Sequence, residues 1–114
     1  MKLIIAVVSN DDSHSLSNAL TKENFVVTKL ATTGGFLKIG NTTMLIGTEE
    51  DRVEKCIEII KEESKQRTEL VPSTASYDIG RFATFPVEVQ VGGATIFVVD
   101  VEKFIKFEYL ITLS

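Results

Sequence analysis

The sequence is poor in the residues that build disulfide frameworks and metal centres. Among its 114 residues there is one cysteine, Cys56, one histidine, His14, and no tryptophan. A single cysteine excludes an intrachain disulfide, and one histidine beside it leaves no ligand set for a structural zinc ion. No apolar run approaches the length of a membrane-spanning helix, and no secretory signal opens the chain. We therefore expect a soluble cytoplasmic protein without a cofactor.

Composition favours one globular domain spanning residues 1–114. Apolar residues make up 44% of the chain and charged residues 25%, which is typical of a folded protein. The length is sufficient for a modest hydrophobic core. The net charge of −4 argues against general nucleic-acid binding, which requires an extended basic face. A small anionic ligand needs only a local positive site and is not excluded.

Two helices are predicted from apolar residues at helical spacing. The first covers residues 12–24, after several potential N-caps at 10–13, and the second begins after Thr48 and ends near residue 64 or 65. The second helix has one apolar stripe opposite a face rich in Glu and Lys. That stripe comprises Val53, Cys56, Ile57 and Ile60. We expect Cys56 to be buried as ordinary packing, and His14 to lie on the surface.

Several runs of β-branched and apolar residues predict strands. Residues 2–8 read as a strand buried on both faces, and 68–71 as a short strand ended by a proline. Residues 85–91 and 94–99 flank a Gly-Gly pair and predict a β-hairpin. Residues 101–107 are compatible with a short helical turn. The placement of the tail at 109–114 does not follow from its pattern.

This order of elements predicts an α+β fold of the ferredoxin-like class. Strand, helix and strand occur twice, which is the split βαβ duplication, here with an extra C-terminal hairpin strand. The helices would lie on one face of the sheet. The other face would stay uncovered and apolar, so we expect it to pack against copies of the same chain.

The segment 25–47 differs from the rest of the chain in charge. It contains two lysines and no acidic residue, which leaves −6 for the remainder. Its Gly34-Gly35 pair can form an anion-binding nest of backbone amides, and the following Phe36 offers a ring to a nucleobase. These residues favour a nucleotide ligand. A plain turn beside a core phenylalanine would produce the same pattern, and no Walker or dinucleotide-binding motif is present.

The amino-acid sequence of three stretches closely resembles that of the P-II-like cyclic di-AMP receptor proteins of Gram-positive bacteria. These stretches are MKLIIA at 1–6, TKLATTGGFL at 28–37 with GNTT at 40–43, and PVEV at 86–89 with VGGAT at 91–95. The similarity extends from residue 1 to about residue 107. It implies a homotrimeric signalling receptor that binds cyclic di-AMP in clefts between subunits and changes loop conformation to regulate a partner protein.

The resemblance also implies a set of ligand-binding residues. It points to Thr28, Gly35, Phe36, Leu37, Asn41 and Gly47, with Phe97 closing the pocket. Two positions depart from the family: Val26 stands where Arg is common, and Lys106 where Gln is common. Loss of the arginine would remove a charge-assisted contact, whereas Lys106 would restore a charge or alter base preference. The 72–85 loop is also slightly shorter than in familiar members of the family.

Three other functions remain open: an adenine-nucleotide sensor, an enzyme and a structural oligomer. The sensor would be an ATP- or ADP-sensing P-II-like regulator without preference for cyclic di-AMP. The enzyme is disfavoured because His14 has no identifiable nucleophile or acid–base partner. A purely structural oligomer would bind no nucleotide at all. The sequence does not identify the downstream protein.

Overall fold

The computed structural model of the chain describes residues 1–30, 40–72 and 86–107. Four strands form an antiparallel sheet in the order β2-β3-β1-β6, and β4 pairs with β5 in a separate two-stranded ribbon. This architecture is compatible with the ferredoxin-like fold predicted from the sequence. The strands are β1 Lys2–Ser9, β2 Val27–Lys29, β3 Asn41–Thr48, β4 Arg67–Pro72, β5 Pro86–Val91 and β6 Ala94–Asp100.

Helix α1 spans Asn10–Lys22, two residues earlier than predicted. Its cap is Ser9, the last residue of β1, whose hydroxyl oxygen accepts the backbone N–H of Asp11 at 3.2 Å. The turn is therefore as short as the chain allows, because the strand's final residue is also the helix cap. His14 lies exposed on this helix, as expected.

A 3-10 turn at Glu50–Arg52 leads into helix α2, Val53–Glu63, which ends about where its pattern predicted. Arg52 stacks over the ring of the buried Phe25, with its guanidinium carbon 4.1 Å from the ring centroid. The same side chain donates to the carbonyl oxygen of Glu23 at 2.6 Å. These contacts tie the start of α2 to the end of α1. Neither described helix is long and apolar enough to cross a membrane.

Both helices pack on one face of the main sheet. Alternate residues of β1 point into this layer, and Ile4, Ala6 and Val8 are almost wholly buried. The apolar stripes of the helices cover them, with Leu16, Leu20, Cys56 and Ile60 in the same cluster. Strand periodicity sends the intervening β1 residues to the opposite face, where they are only partly buried. The prediction that both faces of this strand are buried is therefore wrong for the single chain.

Cys56 is fully buried, as predicted, and burial raises the pKa of its thiol to about 11. At pH 8 only about a thousandth of such a thiol would be ionised, and the thiolate is the reactive form. We therefore expect a thiol-specific reagent to leave the native protein unmodified and to label one thiol per chain in urea. Mass spectrometry after timed quenching measures both states. Fast labelling of the native protein would contradict this packing.

The predicted hairpin of 85–91 with 94–99 is wrong, although both strands exist. β5 pairs with β4, from Arg67 opposite Val91 to Pro72 opposite Pro86, whereas β6 pairs with β1. Gly92 and Gly93 have φ of +88° and +87° and turn the chain from one sheet into the other. The pair is therefore a pivot between two sheets, and β6 supplies the fourth strand of the main one.

The base of the ribbon is attached to α1 by an ion pair. Arg67 donates to the buried carboxylate of Asp12 at 2.9 Å and also contacts Glu69 at 3.3 Å. The hydrogen bond that Arg67 donates to Asp12 is the largest cause of the raised pKa of the Arg67 guanidinium. Of the predicted 72–85 loop, Pro72 belongs to β4, and residues 73–85 lie outside the described residues, as does the 109–114 tail.

Candidate functional site

The sheet face opposite the helices carries the candidate site. Strand pairing places Thr28 beside Leu45, Leu45 beside Ile5, and Ile5 beside Phe97, so one row of side chains crosses all four strands. Leu3 lies two residues before Ile5 on the same face of β1 and is paired with Gly47 of β3. These side chains are partly or largely exposed. An apolar sheet surface of this kind is typical of a binding or assembly face.

A cavity of about 590 Å³ lies at one end of this face. The volume is within the usual range for small-molecule sites. The ends of β1, β2 and β3 form its floor, and the chain after β6 forms its wall. Its lining residues are Met1, Leu3, Val26, Thr28, Leu45, Gly47, Val101, Phe104, Ile105 and Lys106.

The wall is formed by residues 101–107, a segment without regular secondary structure that we call the strap. It contains no helical turn, so the sequence-based prediction for these residues is wrong. The backbone N–H of Val101 donates to the carbonyl oxygen of Met1 at 3.1 Å, which continues the pairing of β6 with β1 for one more residue. Beyond that bond the strap leaves the sheet and passes beside the cavity.

An ion pair fixes the end of β6 immediately before the strap. The Lys2 ammonium donates to Asp100, and this hydrogen bond lowers the pKa of the Asp100 carboxyl below its ordinary value. A depressed carboxyl pKa means that the pair stabilises the fold above the unfolded-state value near 3.8 and is lost as the pH falls below it. At neutral pH the strap therefore starts from a paired end of the sheet.

Gly47 leaves an unfilled space in the cavity floor. A Cβ built at this position would have no heavy atom within 4 Å. Its φ lies outside the left-handed region, so neither backbone conformation nor crowding within the described residues requires glycine here. Glycine in a strand is otherwise destabilising, and it often marks close approach of another molecule.

The chemistry of the cavity is mostly apolar with two polar groups. Thr28 contributes a hydroxyl from the floor and Lys106 contributes an ammonium from the strap. No acidic side chain is among the described lining residues. Apolar walls suit a flat aromatic ligand, and a hydroxyl with a cation suits an anionic group. The arrangement therefore fits a ligand that combines a heterocycle with phosphate.

A groove of similar volume, about 570 Å³, lies between α1 and α2. Four of its polar side chains are engaged in pairs: Ser15 donates to Glu63 at 2.6 Å, and His14 contacts Asn18 at 3.3 Å. None of the residues predicted to bind ligand lines it. The cavity on the open sheet face is therefore the stronger candidate.

The structure brings together three of the predicted residues: Thr28, Gly47 and Lys106 line one cavity. Asn41 lies at the other end of β3, opposite Ser9, beside a separate depression of about 190 Å³. It is six residues before Gly47 along the strand, which is about 20 Å at strand rise. Phe97 lies on the open face and is 54% exposed, but it does not line the cavity.

Three further predicted residues, Gly35, Phe36 and Leu37, lie outside the described residues. Sequence reasoning also missed residues that the cavity contains, above all Phe104 and Ile105 of the strap. Their apolar side chains were visible in the sequence. Assigning the strap to a helical turn hid the fact that they face the same space as Thr28.

A family profile and a solved structure both match this chain over most of its length. The sequence profile described as "Cyclic-di-AMP receptor" matches residues 1–107. A crystal structure of a protein of unknown function from Pediococcus pentosaceus ATCC 25745 is 44% identical. Its match covers 93% of this chain and 96% of that one, with a TM-score of 0.71.

Proposed function

Because this chain belongs to the cyclic-di-AMP receptor family, we propose that it binds cyclic di-AMP at the strap cavity and acts as a non-enzymatic signalling receptor. The observation that supports the location is the meeting of Thr28, Gly47 and Lys106 in one cavity. These residues come from three separated parts of the sequence. The apolar floor would contact an adenine, while Thr28 and Lys106 would face the phosphates.

We propose further that the complete site lies between subunits of a homotrimer. Asn41 is about 20 Å along β3 from the cavity, and Phe97 lies outside the lining. If both contact the same ligand as Thr28, as the family resemblance implies, a neighbouring copy must supply them. The apolar open face, with Phe97 at one edge strand, is a surface that copies could bury against each other.

The output of the receptor would be regulation of a partner protein. Ligand binding produces such an output only if the ligand favours one conformation over another. The predicted response of segments 34–40 and 72–85 falls mostly outside the described residues and stays a prediction. Hydrogen exchange over these segments with and without cyclic di-AMP would measure it.

Calorimetric titration of the purified protein tests the proposed ligand. We expect cyclic di-AMP to bind more tightly than cyclic di-GMP or ATP, and sedimentation to show a trimer with and without ligand. Preference for ATP or ADP would favour an adenine-nucleotide sensor, whose ligand would fit the same mixture of apolar wall, hydroxyl and ammonium. Hydrolysis of any nucleotide in the panel would contradict a receptor without catalytic activity.

Lys106→Met tests the charge on the strap. Hydrogen bonds to charged groups contribute roughly 1.5–3 kcal/mol, so we expect cyclic di-AMP affinity to fall about tenfold or more. The residual binding should depend less on salt, because one screened attraction is gone. Calorimetry at two salt concentrations measures both effects.

Lys103→Met is the matched control for this variant. Lys103 is exposed on the same strap but does not line the cavity. We expect its affinity and salt dependence to equal those of the unmodified protein. Equal losses in both variants would show that Lys106 acts only through the overall charge of the chain.

A further inference from the structure

Phe104 is an exposed aromatic residue that lines the candidate cavity. It is a large apolar side chain with 62% of its surface exposed, and it also lines the cavity. The aromatic residue of the core, Phe25, is by contrast only 4% exposed. Phe104 is therefore not held by the packing that stabilises the described domain.

The surroundings of Phe104 favour a ligand as the group that covers it. Its ring shares a cavity with the hydroxyl of Thr28 and the ammonium of Lys106, and with the open space at Gly47. An aromatic ring beside a hydroxyl and a cation is suited to a nucleotide, which presents a flat base next to phosphate. Phe107, three residues along the strap, is 82% exposed and does not line the cavity.

The strap is attached to the main sheet close to Phe104, which would allow it to position the ring. The hydrogen bond from Val101 to Met1 and the ion pair between Asp100 and Lys2 hold the chain at the end of β1. Phe104 follows only three residues after Val101, so its range of positions is limited by that attachment. A ring held in this way loses little conformational freedom when a base packs on it.

We propose that Phe104 is the residue on which one purine base of the ligand packs, with its ring forming the cavity wall opposite Gly47. This assignment rests on the proposed nucleotide function and adds a specificity-determining residue to it. The strap would then carry two complementary groups, a ring for the base at position 104 and an ammonium for the phosphate at position 106.

Phe104→Leu tests this role, since leucine keeps an apolar side chain and removes the aromatic face. Stacking of a base on an aromatic ring contributes enough that its loss should weaken cyclic di-AMP binding about tenfold or more. In the complex with the unmodified protein, ring currents should shift an adenine proton resonance upfield. This shift should disappear in Phe104→Leu at saturating ligand, whereas a purely structural residue would leave it in place.

Phe107→Leu serves as the matched control and should retain both the affinity and the proton shift. Unchanged affinity and an unchanged shift in Phe104→Leu would overturn the assignment while leaving the proposed function intact. Loss of self-association in Phe104→Leu, with the shift retained at saturation, would also overturn it and would place Phe104 in a subunit contact. If the unmodified protein binds no nucleotide, the proposed function itself fails.

Discussion

Replacing Gly47 with valine is expected to weaken cyclic di-AMP binding about 100-fold while leaving the fold intact. Gly47 lies in the cavity floor beside Thr28 and opposite the strap, and no described atom occupies the space that a Cβ would enter. Added methyl groups would fill volume that the ligand needs. Forcing extra groups into a packed contact costs up to about 3 kcal/mol, which corresponds to roughly two orders of magnitude in affinity.

The same substitution is expected to preserve or slightly increase stability. Glycine within a strand is about 0.5–1 kcal/mol less favourable than alanine, and β-branched residues suit strands well. Loss of binding without loss of stability distinguishes a ligand space from a structural gap. Calorimetry gives the affinity, and urea unfolding at one protein concentration gives the stability, because self-association stabilises folded chains by mass action.

Gly47→Ala provides a graded control for the valine variant. It adds one methyl group, so its affinity should lie between those of the unmodified protein and Gly47→Val. If the valine variant bound cyclic di-AMP as tightly as the unmodified protein, Gly47 would not be part of the binding site. If the valine variant instead sediments as a smaller species, the open space accommodates a neighbouring subunit rather than the nucleotide.

Replacing Gly92 with alanine is expected to destabilise the protein by roughly 3 kcal/mol. The φ of +88° is unfavourable for a residue with a side chain, and a Cβ would lie under 3.0 Å from the carbonyl oxygen of Lys65. Left-handed backbone costs about 1–2 kcal/mol and overpacking typically a further 1–3 kcal/mol. The carbonyl belongs to the backbone between α2 and β4, so it cannot move without shifting the ribbon. Urea unfolding followed by circular dichroism measures the change.

Gly93→Ala is the matched control for this effect. Gly93 has nearly the same φ, +87°, but a Cβ there would have no heavy atom within 4 Å. We expect Gly93→Ala to lower the free energy of unfolding only by the backbone-conformation cost, about 1–2 kcal/mol. Equal destabilisation of both variants would mean that the contact with Lys65 contributes nothing and that backbone conformation alone requires the glycine pair.

Structural features that depend on the local spacing of apolar residues were predictable. The helix around Cys56 was correctly placed because apolar residues three and four apart must share one side of a helix, whatever surrounds it. The burial of Cys56 followed directly. The start of α1 was two residues off, because the sequence offers several capping residues and the structure uses Ser9.

The candidate site was predictable only in part, and the family resemblance carried most of it. Thr28, Gly47 and Lys106 line one cavity, and nothing local in the sequence indicates that they do. Their role in binding a ligand stays a prediction. Phe104 was missed because a helical turn was assigned to the strap. A helical turn would have directed this side chain to a different place from the irregular backbone that the structure shows.

The amino-acid sequence by itself determined the helices and the strands, because each depends on the spacing of neighbouring residues. It predicted β1 to be buried on both faces, whereas the structure buries one face fully and the other only in part. Only the tertiary structure decided which strands pair. Two strands joined by Gly92-Gly93 read as a hairpin, but each finds a better partner elsewhere, and Lys2 meets Asp100 across 98 residues. Strand pairing depends on which edges the folded chain brings together, and local alternation does not specify this. The cavity follows from that pairing, since its floor and its strap meet only when β6 lies beside β1.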